Sequence, residues 1–200
     1  MLITFEGIDG SGKSTQIALL KEKLSDFGKQ VQVFREPGGT ELSEEIRSIL
    51  LNPEIEIDPV TELLLFSSAR SRLISEKVLP ALESGKVVIL DRFYDSTTAY
   101  QGYGRESLPL DQIRHINDVA SHNKAPDFTF YLRLNLEESI KRRANMSKDR
   151  MEQAGEEFFI KVIKGFDELA KKEPRFIVID ASDSIDEIHS SIMNSLSSHL

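Results

Sequence analysis

Eight residues near the N-terminus, Gly7-Ile8-Asp9-Gly10-Ser11-Gly12-Lys13-Ser14, fit the spacing G-x-x-x-x-G-K-[ST] at every fixed position. These residue types at this spacing suit the capture of a polyphosphate. Gly7, Gly10 and Gly12 let the backbone take conformations closed to residues with a Cβ, so successive N–H groups can turn toward one anion. Lys13 would reach the β- and γ-phosphates, and the Ser14 hydroxyl would take one position on Mg²⁺. The alternative is a glycine-rich turn that binds nothing. The flanks weigh against it: Leu2-Ile3-Thr4-Phe5 is a short apolar strand, and Ile17, Leu20, Leu24 and Phe27 recur at helical spacing. A helix starting behind the loop adds the positive end of its dipole and unpaired N–H donors.

Two further segments carry charge at the ends of apolar runs. Asp91 closes Val87-Val88-Ile89-Leu90, where a second acid organising Mg²⁺ belongs in phosphate-loop enzymes; an ordinary turn or cap residue is the other reading. Arg92 follows it, and Arg35 and Arg47 lie at and after the preceding strand candidate. Guanidinium groups match phosphate oxygens in a bidentate fork, although surface ion pairs use the same residues. Glu36-Pro37 precedes Gly38-Gly39, so the chain turns sharply there, with Pro37 either cis or trans. Residues 145–155, with Lys148, Asp149, Arg150 and Glu152, read as a polar lid able to close over polyphosphate, or as a solvated connection.

The elements that must position these groups alternate along the chain. Strand candidates are Leu2–Phe5, Val31–Arg35, Val87–Asp91, Phe128–Leu134 and Phe176–Asp180. Helical patterns occupy 14–27, 40–51, 60–83, 110–123, 136–143, 156–172 and 185–196, while 38–39, 102–104 and 145–155 read as loops. Strands that are apolar throughout imply burial on both faces, hence an α/β fold with a five-stranded parallel sheet covered by helices, in one domain over 1–200. Ligands of such sheets bind outside the carboxyl ends of the strands, and the glycine loop, 35–40 and 91–93 all fall there.

Composition narrows the function classes. The hydrophobic share of 40% and charged share of 29% suit an ordinary globular chain, and no apolar run is long enough for a membrane span. The N-terminus has no basic region and Glu6 cuts its apolar stretch short, so no signal peptide is expected. Cysteine is absent, which excludes disulfides and thiolate chemistry and makes a cytoplasmic location the expectation. A net charge of −8 argues against broad binding to nucleic acid but not against a nucleotide, whose site is local.

Taken together, these motifs resemble those of bacterial-type thymidylate kinases, P-loop nucleoside monophosphate kinases, over nearly the whole chain. Phe5 through Thr15 resembles that family's phosphate loop, Arg35-Glu36-Pro37-Gly38-Gly39-Thr40 its second signature, and Asp91-Arg92-Phe93 its Asp-Arg-aromatic motif, with Phe where Tyr or His is usual. Ser96 through Gly102 is similar to the segment that meets thymine and sugar, and Asp149-Arg150-Met151-Glu152 stands where the family's lid ends.

The resemblance implies ATP as phosphoryl donor, held by Gly7, Ile8, Asp9, Gly10, Ser11, Gly12, Lys13, Ser14 and Thr15, with Arg143 over the adenine. It implies Mg²⁺ at Ser14, Asp91 and Glu152, and catalytic roles for Lys13, Arg92, Arg150 and Asp9. For dTMP it implies Arg35, Glu36, Pro37, Arg47, Arg92 and Asp9 near the phosphate and sugar, with Tyr100 crowding the 2′ position. Phe66 would stack on thymine and Arg70 would donate to O4, a pair four apart on one helix face; Phe66 as a plain core residue is the competing reading. Thr97 and Gln101, also four apart, would meet the N3/O4 edge. The family carries its catalytic arginine either in the phosphate loop or in the lid; this loop has none, so the resemblance implies Arg150 in the lid as the cation at the transferred group. A homodimer is implied as well.

The expected reaction is in-line transfer from MgATP to dTMP, giving dTDP and ADP. A kinase for another (deoxy)nucleoside monophosphate is the near alternative. A P-loop ATPase or switch is the distant one, with no reason to gather Arg35, Arg47 and Arg92.

Overall fold

β1 (Leu2–Glu6) is buried along its whole length and sits at the centre of the sheet. The structure, a computed structural model, describes residues 1–144 and 150–199, with the side chains of Glu152 and Ser198 outside the described residues. Among these residues the sheet has five strands in the order β2-β3-β1-β4-β5, formed with β2 (Val31–Arg35), β3 (Val87–Asp91), β4 (Phe128–Arg133) and β5 (Phe176–Asp180). Every pairing is parallel, as continuous apolar strands require. The register sets Phe5 beside Asp91 and Arg35 beside Asp91, so the three motif-bearing strand ends lie together.

Side chains alternate across the sheet, and each face finds its own cover. Ile3, Phe5, Val87 and Ile89 join one cluster with Leu20, Phe166 and Ile192. Leu2, Val88 and Leu90 join another with Leu73, Ile74, Val78 and Ala81. The supporting helices are α1 (Lys13–Asp26), α2 (Glu41–Leu51) and α3 (Pro59–Leu73), which runs on through a π-helical turn (Ile74–Val78) into α4 (Leu79–Glu83). α5 (Tyr94–Thr97), α6 (Leu110–Ala120), α7 (Leu136–Arg142), α8 (Glu156–Lys172) and α9 (Ile185–Leu196) follow.

Local chemistry sets several starts: Asp58 accepts from Val60 and Thr61 ahead of Pro59, and Ser184 with Glu187 forms a capping box.

One expected loop is helical. Thr98–Gly104 forms a π-helical stretch continuing α5. A Cβ on Gly104 would lie 2.5 Å from the Phe158 ring, so the glycine lets this stretch pack against α8 rather than turn away. The Glu36–Pro37 bond is cis.

Candidate active site

The glycine loop leaves β1 over the end of β4. Gly7 has φ +133°, and a Cβ there would stand 2.6 Å from the Leu132 carbonyl oxygen, so only glycine permits the crossing. Lys13 opens α1, and its Nζ donates to the carbonyls of Gly7 at 3.0 Å and Ile8 at 3.1 Å. Burial, with the charge of Arg92 adding, pushes the Lys13 ammonium down to about 8. The Ile8 side chain is in the core, so only its backbone could serve an anion. Ser14 and Thr15 are exposed and line the same cavity as Gly10, Gly12 and Lys13.

Asp91 faces that cavity from β3, with a buried Oδ1 that has no hydrogen-bond partner among the described residues. An orphaned carboxylate oxygen beside a serine hydroxyl is a donor set suited to Mg²⁺, a hard cation. No group of three or more metal-ligating His, Cys, Asp or Glu side chains gathers among the described residues. Nucleotide oxygens and water would complete the shell of such an ion, since Mg²⁺ keeps several waters. Glu152, expected as a further ligand, has its side chain outside the described residues, as do Lys148 and Asp149 of the expected lid.

Arg92 adopts φ +71°, and its guanidinium donates to Asp9 Oδ1 at 2.7 Å and to the Gly7 carbonyl at 2.8 Å. Burial works against the Asp9 charge, but Arg92 and Lys13 outweigh it and hold that carboxyl down to about 2. Beneath this turn, Glu6 accepts from Phe93 N at 2.8 Å and Ser96 Oγ at 2.5 Å. Burial, with Asp95 nearby, pushes Glu6 up to about 8.

A second cavity extends from Arg92 between α3 and the α5 segment. Phe66 lines it and also packs against two hydrophobic clusters, so both readings of this residue hold structurally. Arg70 is 2% exposed; its guanidinium donates to Glu36 at 2.7 Å, Thr97 at 2.9 Å and Asn117 at 3.3 Å. Burial pushes Glu36 up to about 7 against the pull of Arg70. Phe93 is wholly buried with the Arg70 guanidinium 5.6 Å from its ring centre. Tyr100 lies under Arg92, 5.1 Å from ring centre to guanidinium, and Gln101 also borders this cavity.

Asp9, Glu36, Arg47 and Arg92 line both cavities, which therefore meet end to end at these four residues. Arg47 donates to the Pro37 carbonyl at 2.9 Å, and Arg35 borders the glycine-loop cavity while paired with Glu44 at 3.1 Å. Arg143 borders it too, with its guanidinium 5.6 Å from the centre of the Phe159 ring.

Arg150 stands elsewhere. Its guanidinium pairs with Glu62 at 2.7 Å and donates to the Leu50 carbonyl at 2.7 Å, and it lines neither cavity. The cavity in which a transferred group would lie does not include it, and its guanidinium is held instead by the buried Glu62 carboxylate. Arg142, which stands just before the expected lid and was given no site role from sequence, donates to the Gly10 carbonyl at 3.2 Å and borders the glycine-loop cavity. Glu6 and Glu62 were missed likewise. Each is a lone acid in an apolar run, Thr4-Phe5 and Leu63-Leu64-Leu65, and that isolation was the available signal.

Comparison with known proteins bears on this geometry. The family model described as thymidylate kinase matches residues 5–192. A thymidylate kinase of Chlorobaculum parvum is 48% identical, covering 98% of this chain and 95% of the relative. Another, of Thermoanaerobacter, is 44% identical, covering 99% and 98%. The crystal structure of thymidylate kinase from Ehrlichia chaffeensis superimposes with a TM-score of 0.81 at 38% identity, covering 98% of each chain.

Proposed function

The chain belongs to the thymidylate kinase family, nucleoside monophosphate kinases that phosphorylate dTMP, and we propose that its two joined cavities hold ATP and dTMP end to end. The observation that carries this assignment is the shared wall of Asp9, Glu36, Arg47 and Arg92. ATP phosphates lie on the glycine loop, with Lys13 and Arg142 beside them and Arg143 over the adenine. The thymine lies between Phe66 and the Thr97/Gln101 edge, with Arg70 donating to O4. Tyr100 crowds the sugar.

The acceptor phosphate has a second pKa near 6, so it is largely a dianion at neutral pH and needs no general base. The difficulty is bringing it against a second polyanion. Two unit charges at ~4 Å repel by about 4 kcal/mol at an effective dielectric of 20. Lys13 and Arg92 offset that repulsion and are already fixed by the loop carbonyls and Asp9, so little reorganisation is needed as charge develops. Ser14 and Asp91 would hold Mg²⁺, which when bound neutralises phosphate charge. The same reading makes the chain one kinase domain, located in the cytoplasm and working as a homodimer. Leu64 on α3 and Val119 on α6 are exposed apolar side chains on helices that pack together, which supports a partner there. No helix among the described residues is long and apolar enough to cross a membrane.

Turnover of dTMP, dUMP, dCMP, UMP and dGMP with ATP tests the assignment. dTMP should lead. dUMP should follow, weaker by about 10–200-fold for the missing methyl group. Fast ATP hydrolysis without any acceptor would instead favour an ATPase.

A further inference from the structure

Glu62 is 1% exposed on α3 and does not line the cavity, yet it stands at the head of a row of functional residues. Glu62, Phe66 and Arg70 recur at intervals of four and so share one face of α3. Glu62 Oε1 accepts from Gln101 Nε2 at 2.8 Å and from Arg105 Nε at 3.3 Å, while Oε2 pairs with Arg150 at 2.7 Å. Burying a carboxylate is costly, and here two guanidiniums and one amide are spent on it.

We propose that Glu62 is a positioning residue that selects thymine over cytosine by fixing which end of the Gln101 amide faces the base. The inference deepens the function proposed above and rests on its placing of the base at Gln101. A carboxylate facing two guanidiniums offers only acceptors, so it can hold only the NH₂ branch of Gln101. The carbonyl branch is thereby turned the other way, toward the cavity that Gln101 lines. Thymine N3 carries a hydrogen and needs that acceptor. Cytosine N3 is itself an acceptor and would meet the carbonyl oxygen lone pair to lone pair. An unheld glutamine could rotate its amide and serve either base.

The experiment measures kcat and KM for dTMP and dCMP in the wild-type enzyme, Glu62→Gln, Glu62→Asp and Gln101→Leu, and in Gln101→Leu combined with Glu62→Gln. Glu62→Gln removes the acceptor-only character. Glu62→Asp keeps the charge that offsets Arg105 and Arg150, which protects folding, but shortens the reach to Gln101. Circular dichroism melts establish that each variant is folded. The dTMP/dCMP ratio of kcat/KM should fall by on the order of tenfold or more in both Glu62 variants, chiefly through the KM values. On the Gln101→Leu background, Glu62→Gln should change the ratio by less than about twofold. An unchanged ratio in folded Glu62 variants, with both substrates losing turnover alike, would reduce Glu62 to a structural residue. An equal change on the Gln101→Leu background would also overturn the proposal. Failure of the wild-type enzyme to phosphorylate dTMP would instead overturn the functional assignment on which this rests.

Discussion

Arg92 reaches back from the end of β3 to place its Nη2 2.7 Å from Oδ1 of Asp9 in the glycine loop. The contact joins two strand ends brought side by side by the Phe5–Asp91 register, and it fixes a guanidinium where the two cavities meet. Arg92 also donates to the Gly7 carbonyl, so its orientation is set before any substrate arrives.

Arg92→Lys keeps the charge and loses the fork. Steady-state kinetics should show kcat/KM lower by about 10²–10³-fold, the scale for losing one preorganised donor at a developing charge. A change within twofold would remove Arg92 from the phosphoryl path.

Lys13 supplies the pH dependence. With its ammonium pushed down to about 8, the free enzyme loses this charge as pH rises through that value, while a bound polyphosphate favours the protonated form. ATP affinity should therefore fall between roughly pH 7 and 9.5, with proton uptake on binding at the upper end, visible by calorimetry in buffers of different ionisation enthalpy. Lys13→Arg, which stays charged, should show weaker binding with a flat profile over the same range.

Arg70 and Glu36 form a buried pair at 2.7 Å. Arg70→Met leaves the carboxylate uncompensated and should cost about 3–5 kcal/mol in urea unfolding near neutral pH. Because the folded-state value of Glu36 is already raised to about 7, its proton is bound more tightly in the folded chain. The stability it contributes is present below the ordinary carboxylate range and is lost as pH climbs through about 7, so the variant should be weakest at alkaline pH. Adding Glu36→Gln should restore part of the loss.

Arg142 and Arg150 can be told apart by kinetics. Arg142→Ala removes a cation beside Gly10 and should lower kcat with little change in the KM for dTMP. Arg150→Ala releases Glu62 and should raise that KM. A fall in kcat alone for Arg150→Ala would return it to the transferred group.

The lone acids mark the boundary of sequence reading. The glycine motif was legible because its chemistry is local: eight consecutive residues, with a strand before and a helix after, specify an anion cradle by themselves. The strands were legible because central parallel strands are apolar on both faces, and all five occur within a residue of the expected spans, with Leu2–Glu6 ending one residue late and Phe128–Arg133 one residue early. Gly102 and Gly104 misled because composition marks glycine as a turn, whereas their use here is to admit the rings and methyls of α8 and α6.

Residue types and spacing thus determined the α/β class, the phosphate loop and the strand ends that must converge, since each depends on neighbours in the chain. Tertiary structure alone decided that Arg150 answers to Glu62, that Arg142 borders the phosphate cavity, and that Asp9 and Arg92 mark where two cavities meet. Those outcomes turn on which buried charge finds a partner 80 or more residues away, and such competition leaves no trace in local spacing.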